Sequence, residues 1–285
     1  MIILNKVEEV RSIIKSWKKE GLSIGFVPTM GYLHEGHQSL IMSAARENDR
    51  VVVSIFVNPM QFGPTEDFNS YPRDLPRDSV ICRESGAHLV FHPDVSDIYM
   101  SDFCTYVDMD SLTRGLCGKS RPSHFRGVCT VVNKLFNIVS ADRAYFGQKD
   151  AQQLAVVKRM VRDLNMDIEV VGCPIIREAD GLAKSSRNTY LSPMERSAAL
   201  ILNRSLSAGR QLLENGERNS QNIIRVIAEK IQTEPLARID YVEIVDADTL
   251  EKVDFIEKPV LVALAVYIGR TRLIDNFIYL QETKQ

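Results

Sequence analysis

The sequence predicts an α/β protein in which a parallel sheet domain is followed by a smaller α+β domain. Up to about residue 171, apolar strand-like runs alternate with segments of helical periodicity, which is typical of a parallel sheet. The run 51–57 is almost entirely apolar, as expected for a strand buried on both faces. After residue 177, helices come first and strands follow, an order that indicates an α+β domain. We therefore predict domains at 1–175 and 176–285.

The first elements predict a βαβ unit. Apolar side chains at helical spacing indicate a helix over 7–19, and residues 23–27 follow as a strand that Pro28 closes. A second helix begins at the histidines that follow this strand, and the buried strand 51–57 comes next. Strand, helix and strand in this order predict parallel pairing.

The remaining elements repeat this alternation. The pattern predicts, in chain order, a helix over 75–84, a strand over 88–91, a helix over 130–139, a strand over 144–146, a helix over 150–164 and a strand over 168–171. In the second domain, Ser192, Pro193 and Glu195 have the form of a capping box that starts a helix. The prediction is completed by a helix over 221–232 and strands over 241–245, 260–267 and 272–276.

The composition argues against several classes of protein. The 285 residues carry a formal net charge of −2, which gives no reason to expect nucleic-acid binding. No apolar run is long enough to span a bilayer, and the N-terminus lacks the basic-then-apolar order of a signal peptide. The five cysteines are scattered and form no C-x-x-C pair, which argues against a disulfide framework and a zinc knuckle. The predicted compartment is a reducing cytoplasm.

The most informative segment is 26–37, which has the form of a buried strand, a glycine-containing turn and a helix start. Free backbone N–H groups and the positive end of a helix dipole converge at such a junction, which predicts an anion site. His34 and His37 lie three residues apart there and would add imidazole donors for a phosphate. Two polar residues on an ordinary loop are the alternative. Zinc is less favoured, because the metalloprotease pattern needs histidines four residues apart.

Two further segments carry cations suited to phosphate. Segment 147–150 reads Gly-Gln-Lys-Asp between a predicted strand and a predicted helix. Lys149 there can act as a point charge for phosphate, Asp150 can cap the helix, and Gln153 lies one turn further on. Segment 184–187 reads Lys-Ser-Ser-Arg, which suits a polyphosphate tail, although a solvated linker can have the same composition.

The other candidates are less specific. Gln61 lies in a segment rich in Pro and Gly directly after a buried strand, where α/β sheets bind ligands, and it could equally be an incidental turn residue. Arg121 and His124 precede a predicted helix and are weak candidates for a place near phosphate. His88 and His92 flank a predicted strand, and we expect them to be structural or solvated.

Taken together, these segments are more specific than any one alone. The chain contains, in this order, P-T-M-G-x-L-H-E-G-H, F-V-N-P-M-Q-F-G-P-x-E-D, Y-P-R-D, R-P-x-H-F, F-G-Q-K-D-x-Q-Q-L, R-E-x-D-G-L-A-x-S-S-R-N-x-Y-L-S and I-G-x-T-R-L-I-D-N. With these motifs it resembles the pantoate–β-alanine ligase family over essentially its whole length. The H-x-G-H and K-S-S-R elements resemble the two signatures of the wider superfamily of nucleotidylyltransferases and class I aminoacyl-tRNA synthetases.

This resemblance implies a Rossmann-like N-terminal domain that binds ATP and pantoate, and a smaller C-terminal domain that acts as a lid. It implies amide formation in two steps. Pantoate and ATP give pantoyl adenylate and pyrophosphate, and the amine of β-alanine then displaces AMP. The resemblance also implies Mg²⁺, for which no ligands are assigned, and a homodimer.

The resemblance further implies roles for the residues that match the motifs. The implied ATP-binding residues are Met30, Gly31, Tyr32, Leu33, His34, Glu35, Gly36, His37, Gly147, Gln148, Lys149, Asp150, Ile176, Lys184, Ser185, Ser186 and Arg187. Among them, His34, His37 and Lys149 would act catalytically on the phosphates, with His37 as the proton donor. Ile176 would pack against the adenine, and 184–187 would close over the β- and γ-phosphates.

The resemblance assigns the acid substrates to neutral amide side chains. By the same resemblance, Gln61 and Gln153 would hold pantoate, Gln61 would also contact β-alanine, and Asn58 would support the pocket. The sequence departs from the commoner family pattern at Lys184, where Met or Leu is frequent, and at Ser123, where Gly is frequent.

Two alternatives remain at the level of sequence. One is a related nucleotidylyltransferase that activates a different small acid. The amides at Asn58 and Gln61 argue against a phosphorylated substrate, which would call for a cluster of cations. The other is a tRNA-interacting or nucleotide-sensing module without catalysis, which would bind ATP but form no pantothenate.

Overall fold

The computed structural model describes residues 1–64 and 66–280. This part of the chain forms two compact units. The first comprises residues 1–110, 121–148 and 153–176, and the second comprises 111–120, 149–152 and the residues from 177 onward. The domain boundary near residue 175 and the lid role of 176–285 stay predictions.

The secondary structure alternates as expected. The strands are β1 (Ile2–Leu4), β2 (Ile24–Thr29), β3 (Arg50–Ile55), β4 (Leu89–Phe91), β5 (Arg143–Gly147), β6 (Glu169–Cys173), β7 (Ala237–Asp246), β8 (Val260–Ile268) and β9 (Thr271–Tyr279). The helices are α1 (Val7–Lys19), α2 (Glu35–Glu47), α3 (Leu75–Glu84), α4 (Val95–Ile98), α5 (Leu116–Ser120), α6 (His124–Val139), α7 (Ala151–Asp163), α8 (Pro193–Ala198), α9 (Ile201–Glu214) and α10 (Ser220–Gln232). None of the helices in the described ranges is long and apolar enough to cross a membrane.

The first unit is built on a six-stranded sheet in the order β1-β4-β3-β2-β5-β6, and its strand pairs are parallel. The predicted α/β class with a parallel sheet is therefore confirmed. The chain leaves β2 toward β3 on one side and later returns to pair β5 on the other side. Such a switch point places the carboxyl end of β2 where open α/β sheets bind ligands.

Pro28 does not close β2, which continues to Thr29. Ile24 directs its N–H toward the β5 side, where Asp142 Oδ2 accepts it at 2.6 Å. By alternation Pro28 faces the same side, but the pairing of β2 with β5 ends at Phe26. The missing N–H of Pro28 therefore costs no ladder hydrogen bond, and the proline is tolerated in a central strand.

Helix α6 begins at His124, six residues before the predicted start. The helical pattern is obscured by Gly127, a weak helix former. The structure explains this glycine, because a Cβ there would lie 2.4 Å from the carbonyl oxygen of Met60. Gly127 thus lets the short turn Pro59–Gln61 approach the backbone of α6.

The second unit is built on the antiparallel sheet β7-β8-β9. One face packs on α9 and α10, where Leu264 and Ile227 share a core. The opposite face, at Ala263, is covered by Leu116 and Ala151. The predicted strands fall inside longer observed ones, and the predicted capping box at Ser192 starts α8. The predicted α+β character of this part is therefore confirmed.

Candidate active site

The turn between β2 and α2 places the predicted histidines at the carboxyl end of the switch-point strand. Gly31 has a φ of +83°, which only glycine adopts readily. A Cβ on Gly31 would lie 2.9 Å from Ile55 Cγ2 and 3.0 Å from Asp78 Oδ2. The turn therefore needs glycine both for its backbone conformation and for the close approach of β3 and α3.

The backbone N–H groups of this turn are engaged within the protein. Tyr32 and Leu33 donate theirs to the two carboxylate oxygens of Asp78, each at 2.7 Å. Gly31 donates to Thr29 Oγ1 at 3.2 Å. The expectation that free backbone N–H groups converge here is therefore wrong for residues 31–33.

Asp78 is a residue that the sequence did not single out. It lies on α3 and is 1% exposed. Burial raises the pKa of its carboxyl, and the hydrogen bonds from Leu33 and Tyr32 offset this only in part. The carboxylate bridges two elements that are 45 residues apart in the chain, and a contact at that range leaves no local signal in the sequence.

The two imidazoles cap α2. His34 is the N-cap residue, and its Nδ1 accepts the N–H of Gly36 at 3.1 Å. His37 Nδ1 accepts the N–H of His34 at 3.3 Å, so the pair forms a capping box. The ring centroids lie 4.1 Å apart. Because both Nδ1 atoms accept backbone N–H groups, an N–H donor on either ring would lie at Nε2. The capping contacts thus fix both rings side by side at the start of α2.

The amide pair after β3 is also fixed. Asn58 and Gln61 are buried, and Asn58 Nδ2 donates to Gln61 Oε1 at 3.1 Å and to the carbonyl of Gly127 at 3.1 Å. Asn58 Oδ1 accepts the hydroxyl of Tyr99 at 2.8 Å. Gln61 Nε2 lies 2.9 Å from Met30 Sδ, so the structure joins the amide pair to the turn after β2. Asn58 therefore sets the orientation of the Gln61 amide.

Arg121 and His124 contact the Gln61 backbone. Arg121 Nε donates to Glu66 at 3.0 Å, and Arg121 Nη2 donates to the carbonyl of Gln61 at 3.3 Å. His124 Nδ1 donates to the same carbonyl at 2.9 Å. Burial raises the pKa of Glu66, but the hydrogen bond and charge of Arg121 outweigh it, so the pKa is lowered. Since Glu66 neutralises Arg121, this pair holds the Gln61 turn in place rather than presenting an unpaired cation for phosphate.

A cavity of about 450 Å³ opens in the first unit beside the turn after β2. Its lining includes Met30 and Gly31 after β2, Val57 after β3 and His92 after β4. His92 Nδ1 contacts the carbonyl of Ile55 at 2.8 Å, which agrees with the structural role expected for this histidine. The cavity therefore lies at the carboxyl ends of three neighbouring strands.

The other candidates of the first unit lie at the end of β5, on α7 and after β6. Gly147 ends β5, Gln148 begins the short turn Gln148–Asp150, and Ile176 is half-buried. Gln153 lies half-buried on α7. Within the ranges that the structure describes, no hydrogen bond joins Gln153 to Gln61.

The candidate residues of the second unit contact other residues of that unit. Lys149 Nζ lies 3.7 Å from Asp150 Oδ2. Ser185 is the N-cap of the short helix Ser186–Tyr190, since its Oγ accepts the N–H of Arg187 at 3.3 Å. Ser186 is buried, and the other members of 184–187 are half-buried. This segment is therefore a structured loop rather than a solvated linker.

The position of the paired histidines decides the class of protein. They follow the glycine turn of the switch-point strand in a parallel sheet, which defines a Rossmann-like α/β protein with an H-x-G-H element at the edge where such sheets bind ligands. Within that class, the chain belongs to the pantoate–β-alanine ligase family, whose sequence model matches residues 2–278.

Individual relatives agree with this family over nearly the whole chain. Pantothenate synthetase from Enterococcus faecalis is 64% identical over 279 residues, covering 98% of this chain and 99% of that protein. The pantothenate synthetase of Ruminiclostridium cellulolyticum is 62% identical over the same length and coverage.

Two solved structures are similar to the fold. The crystal structure of pantothenate synthetase from Thermus thermophilus has a TM-score of 0.91 at 46% identity, covering 97% of this chain and 99% of that chain. Pantoate–β-alanine ligase from Francisella tularensis, complexed with beta-gamma ATP and β-alanine, has a TM-score of 0.80 at 35% identity, covering 99% of this chain and 98% of that chain.

Proposed function

We propose that this chain condenses pantoate with β-alanine at the expense of ATP, giving pantothenate, AMP and pyrophosphate through a pantoyl adenylate. The observation that carries the proposal is the pair of imidazoles that backbone N–H groups orient through Nδ1 after the switch-point strand. The family, and a relative whose structure holds beta-gamma ATP and β-alanine, supply the substrates.

In the first step a pantoate carboxylate oxygen attacks the α-phosphorus of ATP, and the bond from that phosphorus to pyrophosphate breaks. Negative charge grows on the α-phosphate oxygens and on the leaving pyrophosphate. Donors that are already oriented stabilise this charge more than they stabilise bound ATP. His34 and His37 are oriented by their capping contacts, and His37 is our proposed proton donor to the phosphate oxygens.

In the second step the amine of β-alanine forms a bond to the acyl carbon, the bond to AMP breaks and the amine loses a proton. We assign pantoate to Gln61 and Gln153, and β-alanine to Gln61. Asn58 supports this pocket through its hydrogen bond to Gln61. Neutral amides suit a hydroxy acid, because they supply both donors and acceptors without a cluster of cations.

For ATP we propose contacts by 30–37 and 147–150, with Ile176 against the adenine. Lys149 and 184–187 would bind the phosphates as cations and hydroxyl donors. Mg²⁺ accompanies ATP in this proposal and would neutralise charge at the phosphates. In proteins this ion is usually held by substrate phosphates, by waters and by only one or two carboxylates. The half-exposed carboxylate of Asp150 beside Lys149 fits such a metal, which needs only one or two protein oxygens.

Assembly and compartment complete the proposal. We propose a homodimer, which light scattering on the purified protein tests directly. A cytoplasmic location is supported by the free thiols of Cys82, Cys104, Cys117, Cys129 and Cys173 among the described residues.

The experiment that tests the function withholds β-alanine. With ATP, Mg²⁺ and pantoate, the protein should release pyrophosphate and accumulate a species with the mass of pantoyl adenylate. Adding β-alanine should convert it to pantothenate. Pyrophosphate release that does not depend on pantoate, in a screen of small acids, would identify a related nucleotidylyltransferase instead. ATP binding without either product would identify a sensor.

A further inference from the structure

The C-terminal motif I-G-x-T-R-L-I-D-N has no role in the function proposed above. In the second unit it forms the turn at Gly269 and most of β9. Its last two residues, Asp275 and Asn276, are polar yet only 2% and 5% exposed. Successive side chains of a strand point to opposite faces of the sheet. The pair therefore places one buried polar group on each face.

Asp275 faces the side of the helices, between Leu273 and Phe277 of that core. Its carboxylate accepts two hydrogen bonds from the Arg177 guanidinium, at 2.7 and 2.9 Å. Arg177 Nη1 also donates to the carbonyl of Gly181 at 3.1 Å. This bidentate contact anchors the start of the segment that leads to residue 184.

That segment is a small hairpin. Arg177 and Ala183 form an antiparallel bridge, and the N–H of Glu178 donates to the carbonyl of Leu182 at 2.8 Å. Lys184 follows the hairpin directly. Fixing Arg177 therefore fixes the base from which the Lys-Ser-Ser-Arg loop projects.

Asn276 faces the opposite side of the sheet. Its Nδ2 donates to the backbone carbonyl of Lys149 at 2.8 Å. The same face is covered by Leu116 and by Ala151, two residues after Lys149. The Lys149 backbone is thus held both by an apolar contact nearby and by a buried amide.

We infer that Asp275 and Asn276 are positioning residues for the two phosphate-binding segments, acting through Arg177 and Lys149 respectively. This rests on the proposed function, in which Lys149 and 184–187 contact ATP. Lysine is a point charge on a flexible stem, so its backbone must be fixed for the charge to meet a phosphate oxygen. A misplacement of about 1 Å at a reacting centre can cost about 10² in rate.

The first test is Asn276→Asp, which keeps the shape of the side chain but replaces the amide donor by an acceptor. We expect pyrophosphate release to fall about 10- to 100-fold, with the KM for pantoate unchanged within about twofold. Asn215→Asp adds the same charge at an exposed position of this unit and should behave like the parent. Thermal unfolding of both variants checks that the fold is intact.

A double-mutant cycle separates positioning from a purely structural role. If Asn276 acts through Lys149, then Asn276→Asp should cost little further activity in a Lys149→Ala background. An equal loss in both backgrounds would overturn the inference. The function fails separately, if the parent releases no pyrophosphate from pantoate and ATP, or if Lys149→Ala alone leaves that reaction unchanged.

The second half of the inference concerns Asp275. We expect Asp275→Asn to raise the KM for ATP about 10-fold while the KM for pantoate stays within about twofold. If removing one partner of this buried pair unfolds the protein, Asp275→Asn combined with Arg177→Gln removes both charges and gives a folded variant for the same measurement. An unchanged KM for ATP in a folded variant would overturn this half.

Discussion

The hydrogen bonds between Asp78 and the turn after β2 predict a specific defect in Asp78→Asn. The carboxylate accepts the N–H groups of Tyr32 and Leu33, both at 2.7 Å, in a site that is 1% exposed. Asparagine keeps one acceptor oxygen and turns an NH₂ group toward the other N–H. A buried N–H that loses its acceptor costs about 1–3 kcal/mol. We expect the free energy of unfolding of the first unit to fall by about that amount.

The same substitution should reduce turnover. His34, the N-cap residue of α2, directly follows Leu33. A distorted turn would therefore displace both imidazoles. A shift of about 1 Å corresponds to a loss of about 10² in the rate of pyrophosphate release. Gln61, the residue proposed to bind pantoate, follows the neighbouring strand β3, so the KM for pantoate should change much less.

Urea unfolding followed by the fluorescence of Trp17 measures the stability, because this single tryptophan lies on α1 of the first unit. Asp74→Asn is the matched control. Asp74 caps α3 by accepting the N–H of Arg77 at 3.1 Å, a role that asparagine fills as well. The reasoning is refuted if Asp78→Asn matches Asp74→Asn in both unfolding free energy and turnover.

Three further predictions concern the first unit. Gly31→Ala forces an L-residue to a φ of +83° and places a Cβ against Ile55. The free energy of unfolding, followed by Trp17 fluorescence, should therefore fall by at least about 1 kcal/mol. An unchanged urea midpoint would contradict this. His37→Ala should fold and bind ATP but lose about 10²–10³ in pyrophosphate release, and near-normal turnover would remove its assigned role. Because Arg121 lowers the pKa of Glu66 below its ordinary 4.5, the ion pair stabilises the protein above that pH and the gain is lost as the pH falls through the lowered value. The difference in unfolding free energy between the parent and Glu66→Gln should therefore shrink below about pH 4.5, and a difference independent of pH would exclude this pair as its source.

The secondary structure was predicted from patterns that are local in the sequence. The bounds of α1 and α3 agree with the predicted 7–19 and 75–84, because the apolar periodicity lies within the helices themselves. The predicted start of α6 was too late because Gly127 weakens the helical pattern in the sequence. This glycine is needed for a close contact with the turn at Met60, which is distant in the chain. Local propensity cannot report such a contact.

The candidate site divides in the same way. His34 and His37 could be placed at a helix start because a strand, a glycine and a helical pattern adjoin them in the sequence. Their contacts with backbone N–H groups became visible only in the structure. Arg121 was expected near phosphate from its charge, whereas its ion pair with Glu66, 55 residues away, ties it to the Gln61 turn.

The short connection between β8 and β9 matters for residues far from it. The register pairs Ile268 with Thr271 across a two-residue turn, and it continues to Asn276 opposite Ala263. If β9 were shifted by one position along β8, the faces of Asp275 and Asn276 would be exchanged. The carboxylate would then lie on the face of Lys149 and the amide on the face of Arg177. The register that begins at this hairpin turn therefore sets which chemical group meets each of these two segments.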